Sequence, residues 1–346
     1  MIIVSSVLGG RKGSQINPLK EGMDMKKSWI AGMMVLVFLV AGSAFGAESI
    51  KLGMSIWLGY APLYLAKEKG FFQKRGIDVE IVVIQSPVDR RAAFAADRIQ
   101  GFATTVDTLV MTAAAETPIP VKQVLVMDAS HGGDGIIAKK EIKSLEDLKG
   151  KTVAGQMGGG ASYFWLNYVL KQNGMKLSDL KMVDMRAGDA GAAFVAEKVD
   201  AAVTWEPWLS RAKNTPHGHV LYSSDKTPGI IVDSLGFKPE FLARNGDAVK
   251  KIISAWNEAV EFAAKNPSEA DAIMGKFANL TADIFAIEKA GVIFYGAKGN
   301  REFYGTPDKP VTLYATTQRA ADIWFDLNLI KAKPKVADLI DGSFLE

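Results

Sequence analysis

Short apolar segments alternate with helix-forming segments along most of the chain, and this alternation constrains the fold more than any other feature. Mostly apolar runs at Val79–Ile84, Gly101–Val106 and Val121–Met127 have the length of buried strands, and segments typical of helices separate them. Two parallel strands need a long crossover connection, which is usually a helix. The sequence therefore predicts an α/β protein with parallel sheets and with helices on both sheet faces.

Two glycine-containing breaks interrupt this alternation. They are Gly132-Gly133 and Thr227-Pro228-Gly229, and such sequences favour loops over continued strands or helices. We predict two α/β lobes joined by a two-crossing hinge: residues 48–129 and 228–346 form lobe 1, and residues 130–227 form lobe 2. A cleft between two hinged lobes is the expected place for a ligand.

Residues 25–47 have the pattern of a secretory signal peptide. Two lysines precede an apolar run over residues 30–40, and mostly small residues follow as far as residue 47. The apolar run is too short for a membrane span, which needs about 20 residues. We therefore predict a cleaved leader and a periplasmic protein. Because the sequence contains no cysteine, it predicts no lipid anchor.

The residues before this leader do not fit a signal peptide. Lys20-Glu21-Gly22 can be encoded by a ribosome-binding sequence that lies just before the codon for Met25. We therefore predict that translation starts at Met25 and that residues 1–24 are not part of the protein.

Charge and cysteine content exclude several function classes. The formal net charge of +3 lies entirely within residues 1–47, so the rest of the chain is formally neutral. A neutral chain offers no basic surface for nucleic acid or for an anionic membrane. The lack of cysteine excludes disulfides, thiolate metal sites and cysteine nucleophiles. His217 and His219 have a spacing that can hold a metal, but Pro216 and Gly218 indicate a loop, and we expect neither a metal nor a cofactor.

Candidate ligand-binding side chains follow the predicted strands. Trp205 and Glu206 come directly after a buried strand at Ala201–Thr204, and Pro207 suits the first position of a following helix. Ligands of open α/β sheets bind at the carboxyl ends of the strands. The alternative is that Trp205 packs in the core and that Glu206 only caps the helix. Three other strand ends repeat the pattern and favour a binding site, and the residues concerned are Trp57, Tyr60, Thr105, Asp107 and Asp233.

A glycine-rich loop, Gly155–Gly160, precedes a predicted helix that begins at Ala161. Free backbone N–H groups at a helix start attract anions, and glycine lets a ligand approach the backbone closely. We therefore assign Gly159, Gly160 and Ser162 to an anion-binding cradle for a sulfonate, nitrate or carboxylate. The loop lacks the lysine of a phosphate-binding P-loop, so a nucleotide is not expected. The alternative is a turn that serves packing alone.

Three of the candidate residues are carboxylates, namely Asp107, Glu206 and Asp233. If two of them converge in the cleft, their mutual repulsion favours a cation or an amine between them. Asp107 can instead cap its own helix. In the first case the acids predict a positively charged group on the ligand.

Aromatic and basic side chains complete the candidate site. Trp57, Tyr60 and Trp205 can stack around an organic cation or an aromatic ring. Arg90 or Arg91 can meet an anion, although on a helix one of the two is expected to face solvent. An anion cradle opposite a pair of acids predicts a small zwitterion that is held at both ends, such as taurine.

Several motifs follow one another in an order that is typical of one protein family. They are Trp57-x-Gly-Tyr-Ala-Pro-Leu-Tyr-Leu-Ala-Lys-Glu-Lys-Gly-Phe-Phe72, Gly76-Ile-Asp-Val-Glu80, and the later segments Thr104–Asp107, Leu145–Val153 and Asp200–Trp208. In these motifs the chain resembles ABC-importer binding proteins for nitrate, sulfonates, taurine and thiamine precursors. The resemblance covers nearly all of the chain after residue 50, in matching order. It implies a periplasmic type II binding protein fold with two lobes that close on a solute and deliver it to a membrane permease.

This resemblance favours transport but does not identify the solute. We expect a taurine-like or other sulfonate zwitterion, and the alternative solute is a thiamine-pyrimidine precursor or another aromatic amine. Some pyrimidine-forming relatives are enzymes with a cysteine-rich metal motif, which a chain without cysteine cannot supply. A sensor domain on the same fold is a further alternative. We therefore expect a monomeric, non-catalytic binding protein whose partners are its solute and the transmembrane subunits of an ABC permease.

Overall fold

The computed structural model describes residues 49–305 and 312–345. The predicted leader at residues 25–47 and the predicted untranslated segment at residues 1–24 lie outside this part of the chain. Within the described residues, no helix combines the length and the apolar character that crossing a membrane requires.

The strands of the described residues form two separate sheets. The first sheet has the order β11-β4-β10-β3-β1-β2, and its strands are β1 (Ile50–Met54), β2 (Val79–Val83), β3 (Gly101–Thr105), β4 (Lys122–Ser130), β10 (Val232–Phe237) and β11 (Val292–Phe294). The second has the order β7-β6-β8-β5-β9, and its strands are β5 (Asp134–Lys139), β6 (Thr152–Gly155), β7 (Lys181–Asp184), β8 (Ala201–Trp205) and β9 (Gly218–Ser223). The chain thus completes the second sheet between two visits to the first, as a two-lobe fold requires.

Both sheets are mixed, whereas the sequence predicts parallel sheets. β1 is parallel to β2 and β3, but β10 is antiparallel to β3 and β4. In the second sheet, β5 is antiparallel to β8 and β9. The prediction is wrong at the strands that adjoin the crossings. β5 and β10 each follow a crossing from the other sheet and not a helical crossover within their own sheet. Their direction is therefore set by the edge of the sheet at which the crossing ends.

Helices connect most of the strands. In the described residues they are α1 (Ala61–Glu68), α2 (Pro87–Ala95), α3 (Val106–Ala114), α4 (Ala161–Gln172), α5 (Ala187–Val195), α6 (Trp208–Lys213), α7 (Pro239–Lys265), α8 (Pro267–Ala278), α9 (Ala282–Glu288), α10 (Ala297–Tyr304) and α11 (Thr312–Asp326). The start of α2 shows the local cause of such an element: Pro87 opens the helix, and Ser86 Oγ accepts a hydrogen bond from the backbone N–H of Asp89 at 3.2 Å.

Three element boundaries differ from the sequence prediction. α6 begins at Trp208, so Pro207 precedes this helix and does not open it. The apolar periodicity of the sequence predicts a long helix over residues 248–265, but this helix already begins at Pro239, with a kink at Asn245. The sequence also predicts a helix over residues 282–292, but this helix stops at Glu288, because the segment from Val292 pairs with β4 as strand β11. Pairing in the sheet overrides local helix propensity there.

Two short segments join the sheets, residues 131–133 and residues 224–231. They contain the two breaks that the sequence predicts. Ser130 Oγ and Ser224 Oγ lie 2.8 Å apart, and Ser224 Oγ also accepts a hydrogen bond from the backbone N–H of Gly132 at 2.8 Å. The two crossings are therefore hydrogen-bonded side by side.

Helix α11 contacts both lobes. Trp324 Nε1 donates a hydrogen bond to the backbone oxygen of Asp107 in α3 at 2.8 Å. The indole ring of Trp324 also packs against Tyr163 and Phe164 of α4, with ring centres 6.1 and 5.3 Å away. The core therefore continues from the first lobe through α11 into the second. The exact lobe boundaries, including the assignment of residues 312–326 to lobe 1 alone, stay a prediction.

Candidate functional site

A cavity with a mostly polar lining lies between the two lobes. Much of its wall lies at or near strand ends, where α/β folds bind ligands. We call it the inner cavity, and its lining residues are Ser55, Trp57, Tyr60, Gln85, Pro87, Arg90, Thr104, Thr105, Thr108, Asp134, Gln156, Ala161, Trp205, Ile231 and Asp233. Five of the predicted site residues are in this lining: Trp57, Tyr60, Thr105, Trp205 and Asp233.

Asp233 is held in one wall of the inner cavity by the first sheet. It pairs with Thr105 of β3 on one side and with Asp128 of β4 on the other. The Tyr60 hydroxyl donates a hydrogen bond to the Asp233 carboxylate, and Trp57 Nε1 donates one to Asp128 Oδ1 at 2.9 Å. These aromatic side chains therefore position carboxylates as well as lining the cavity, a role that the sequence prediction did not give them.

Four buried aspartates lie in or next to the inner cavity. Burial raises the pKa of Asp107 and of Asp134 to about 7. Burial and the adjacent Asp233 raise the pKa of Asp128 well above its usual value, and burial also raises the pKa of Asp233. Each of these acids loses its proton more readily when a positive charge enters. The cavity is therefore suited to a cation or an amine.

Arg90 is the positively charged residue of the lining, and Arg91 does not line the cavity. Arg90 is 4% exposed, and its Nη1 donates a hydrogen bond to the backbone oxygen of Ile84 at 2.6 Å. Its Nη2 lies 3.3 Å from Thr104 Oγ1, whereas its Nε has no hydrogen-bond partner among the described residues. Burial lowers the pKa of Arg90, but an arginine side chain keeps its charge at neutral pH. The positive charge of Arg90 also acts on Asp233 and opposes the rise in its pKa that burial causes, while the Nε of Arg90 keeps one unpaired donor.

The glycine-rich loop brings the start of α4 to the inner cavity, where Ala161 forms part of the wall. Gly158, Gly159 and Gly160 have φ angles of 73°, 146° and 85°, a conformation that other residues rarely adopt. Gln156 Nε2 donates a hydrogen bond to the backbone oxygen of Gly159 at 3.0 Å. Gly159 and Gly160 therefore shape the turn and are not themselves in the lining.

Ser162 lies in the first turn of α4, behind the lining. Its side chain is buried, and its Oγ has no hydrogen-bond partner among the described residues. The backbone N–H groups of a first helical turn also lack partners within the helix. The start of α4 therefore provides the donors that an anion cradle needs, and the binding of an anion there stays a prediction.

Glu206 does not line the inner cavity, contrary to the sequence prediction. Its Oε2 accepts a hydrogen bond from the backbone N–H of Ser210 at 2.9 Å, and its Oε1 accepts one from Ser210 Oγ at 3.0 Å. Neighbouring side chains of an extended chain point to opposite sides, and Trp205 takes the cavity side. Glu206 therefore acts in the structure as a helix cap, and burial raises its pKa.

Asp107 is also absent from the lining, although it is buried close by. It lies in the first turn of α3, where the Thr108 hydroxyl is 3.4 Å from its Oδ2. Its repulsion by Asp233 contributes to its raised pKa. Of the three predicted carboxylates, Asp233 alone lines the cavity.

Several polar residues of the site escaped the sequence prediction. The strand-end rule applies equally to Ser55, directly after β1, and to Gln85, shortly after β2, so it could have found both. Asp134 begins β5, and Asp128 lies near the end of β4. These two aspartates flank the first crossing, and only the antiparallel strand directions reveal that they belong to the site.

The predicted metal-spaced histidines contact backbone carbonyl groups. His217 Nε2 is 3.3 Å from the oxygen of Phe194, and His219 Nε2 is 2.7 Å from the oxygen of Ile142. In the part of the chain that the structure describes, no group of three or more histidine, aspartate or glutamate side chains could hold a metal ion.

Two α/β lobes joined by two crossings, with a polar cavity between them, define the type II periplasmic binding protein fold. The chain belongs to the NMT1/THI5-like family, whose model matches residues 57–270.

Relatives and solved structures agree with this class. A Bacillus subtilis protein named as an aliphatic sulfonates-binding protein is 27% identical over 342 residues, which are 93% of this chain and 96% of the relative. The periplasmic aliphatic sulphonate binding protein SsuA of Escherichia coli superimposes with a TM-score of 0.69 at 21% identity, over 85% of this chain and 98% of that one. The nitrate-binding protein NrtA of Synechocystis gives 0.69 at 19% identity, over 86% and 87% of the two chains.

The same fold also occurs in an enzyme. The desulfurization enzyme DSZB superimposes with a TM-score of 0.61 at 13% identity, over 86% of this chain and 97% of that one. At these identities the solved structures show a shared fold and not a shared ligand.

Proposed function

We propose that the protein is the solute-binding component of an ABC importer and that its solute is a small zwitterion, an amine with a sulfonate or carboxylate group such as taurine. The observation that carries this proposal is the charge arrangement of the inner cavity. Asp134 and Asp233 line it together with Arg90, so acceptors for an ammonium and a donor for an acidic group face one small volume.

The ammonium end of the solute binds the aspartates. Each buried carboxylate has a raised pKa, and a positive charge between them offsets both their desolvation and their repulsion. A charge-assisted hydrogen bond contributes about 1.5–3 kcal/mol. Nitrate or another pure anion lacks the group that would use these acids.

The acidic end of the solute binds Arg90 and the start of α4. Arg90 Nε is buried without a hydrogen-bond partner among the described residues, and so is Ser162 Oγ at the start of α4. Trp57 and Trp205 line the space between and provide apolar surface for the stem of the solute. Relatives that are named for sulfonates support the choice of a sulfonate as the acidic end.

An aromatic amine is the second candidate solute, and Trp205 is the observation that favours it. This side chain is only partly buried and lines the cavity, so its ring face is open to stacking with a pyrimidine or a similar ring. Such a ligand would use the aspartates for its amine but would leave Arg90 without an acidic partner.

The cellular setting follows from the sequence expectations. We infer export through a cleaved leader at residues 25–47, a periplasmic location without a lipid anchor, and a monomer that hands its solute to permease subunits. We also infer that residues 130–227 move as lobe 2 and close on the solute about the two crossings. Binding without chemical change distinguishes this function from that of an enzyme with the same fold.

Isothermal titration calorimetry with taurine, nitrate and 4-amino-5-hydroxymethyl-2-methylpyrimidine tests the proposal. Taurine should bind with one site per chain, and nitrate should bind at least a hundredfold more weakly. Mass spectrometry of the recovered solute should show it unchanged. Tighter binding of nitrate, or turnover of taurine, would refute the proposed function. Tight binding of the pyrimidine alone would establish the second candidate.

A further inference from the structure

A second space adjoins the inner cavity between the lobes. Gln85, Gln156 and Trp205 line both spaces. Residues of the first lobe, among them Ile56, form one side of it, and residues around α5 and α6 form the other. We call this space the outer chamber. A ligand in the inner cavity can therefore extend past Trp205 without leaving the cleft.

Trp208 forms a fixed aromatic surface in the outer chamber. It packs against α5 at two glycines: a Cβ on Gly191 would lie 2.5 Å from Trp208 Cβ, and a Cβ on Gly188 would lie 3.3 Å from Trp208 Nε1. Any larger residue at Gly191 would displace the indole. Together with Trp205, Trp208 gives the outer chamber two indole side chains in its lining. Such surfaces bind planar groups by stacking and by apolar burial.

The outer chamber also carries positive charge. Arg186 forms an ion pair with Asp189 at 2.7 Å, so its charge is largely compensated. The guanidinium of Arg211 lies 4.5 Å from the centre of the Trp208 ring. The nearby Glu288 carboxyl lies outside the outer chamber, and the positive charge of Arg211 acts on it and opposes the rise in its pKa that burial causes. The chamber therefore has an excess of positive charge, whereas the lining of the inner cavity has two aspartates and one arginine.

We propose that the outer chamber is a second binding subsite that takes the aromatic, anionic end of an elongated zwitterion whose ammonium lies at Asp134 and Asp233. This inference rests on the proposed function, because it uses the same amine site. The aromatic spacer packs against Trp205 and against the part of Trp208 that Arg211 and α5 leave uncovered, and Arg211 binds the sulfonate or carboxylate beyond it. Arginine suits this place because its planar guanidinium can contact an aromatic face and an acidic group at once.

A matched pair of ligands tests the subsite. Taurine and 4-(aminomethyl)benzenesulfonate carry the same two end groups, but the second has an aromatic spacer. The wild-type protein should bind the aromatic compound at least tenfold more tightly. Arg211→Gln and Trp208→Ala should each weaken its binding by tenfold or more and should change the dissociation constant of taurine by less than twofold. Lys213→Gln removes the same charge from the same helix outside the outer chamber, and it should change neither constant.

The dissociation constants of the two ligands test the subsite and the proposed function separately. If both ligands bind but Arg211→Gln affects them equally or not at all, the outer chamber is not a subsite, while the proposed function stands. The same holds if taurine binds and the aromatic compound does not. If neither ligand binds the wild-type protein, the proposed solute class is wrong and the subsite assignment is wrong with it. Arg211 is exposed, so its substitution keeps the test valid even if Trp208→Ala unfolds.

Discussion

Replacing Asp233 by asparagine tests the core of the proposed site, because it removes one charge and almost no volume. The asparagine side chain would still offer a carbonyl oxygen to the Tyr60 hydroxyl, so the hydrogen bond that orients this wall can persist. What disappears is the charge-assisted hydrogen bond to the ammonium group of the solute, worth about 1.5–3 kcal/mol. At about 1.4 kcal/mol per tenfold change, the dissociation constant of taurine should rise by about ten- to a hundredfold.

The neighbouring Asp128 moves this estimate towards its lower end. The negative charge of Asp233 is one cause of the raised pKa of Asp128, so its removal lets Asp128 ionise more readily and replace part of the lost attraction. Calorimetry at about pH 8 is the suitable assay, because carboxyls with a pKa of about 7, such as that of Asp134, are then mostly ionised.

Glu206→Gln is the matched control for Asp233→Asn. Glu206 is also a buried acid next to a strand end, but it caps α6 and does not line the inner cavity. Its replacement should lower the melting temperature through the weaker cap and should change the dissociation constant of taurine by less than twofold. An effect of Glu206→Gln on binding as large as that of Asp233→Asn, or a change below twofold for Asp233→Asn, would refute the reasoning.

Three further predictions follow from the described contacts. First, burial raises the pKa of Asp107 and Asp134 from about 4 in the unfolded chain to about 7, so their contribution to stability is present below about pH 4 and is lost as the pH rises through about 7. The melting temperature of the unliganded protein should therefore fall from about pH 5 to about pH 8. Calorimetry should show that taurine binds more tightly as the pH rises over the same range. Tighter binding at the acidic end of the range would contradict an amine ligand. Second, a methyl group on Gly59 would overlap the Asp128 carboxyl, so Gly59→Ala should lower both the melting temperature and the affinity for taurine. If the displacement of Asp128 costs about 1.4 kcal/mol of binding free energy, the dissociation constant should rise by about tenfold. An unchanged affinity would show that Asp128 has no part in binding. Third, Trp205→Ala should raise the dissociation constant of taurine by about tenfold, since losing about 50 Å² of apolar contact costs roughly 1.3 kcal/mol. A far larger loss of affinity for the aminopyrimidine would identify stacking on Trp205 as the dominant contact of that ligand.

The sequence predicts the fold better than the site, and the reasons are physical. Strands are short apolar runs and hinges are glycine-rich, so local composition reveals both. The direction of β10 depends on the chain entering the first sheet from the second sheet, and the local sequence pattern does not show this. For the same reason Asp128 escaped prediction: it becomes a neighbour of Asp233 only because β4 and β10 are antiparallel. Glu206 shows the converse, since a strand-end position does not determine the side to which the carboxylate turns.

The unequal share of the two lobes in the inner cavity bears on the order in which binding events occur. Trp57, Tyr60, Arg90 and Asp233 are fixed by the first sheet and its connections, whereas the second lobe contributes fewer residues, among them Trp205. In the proposed closure, a solute can thus contact Asp233 and Arg90 on one half of the protein while the cleft is still open, and Asp134 and the start of α4 reach it when the second lobe closes. The first lobe then determines the association rate of the solute, and the time for which the second lobe stays closed determines the lifetime of the complex. Recognition and retention of the solute are in this way assigned to different halves of one chain.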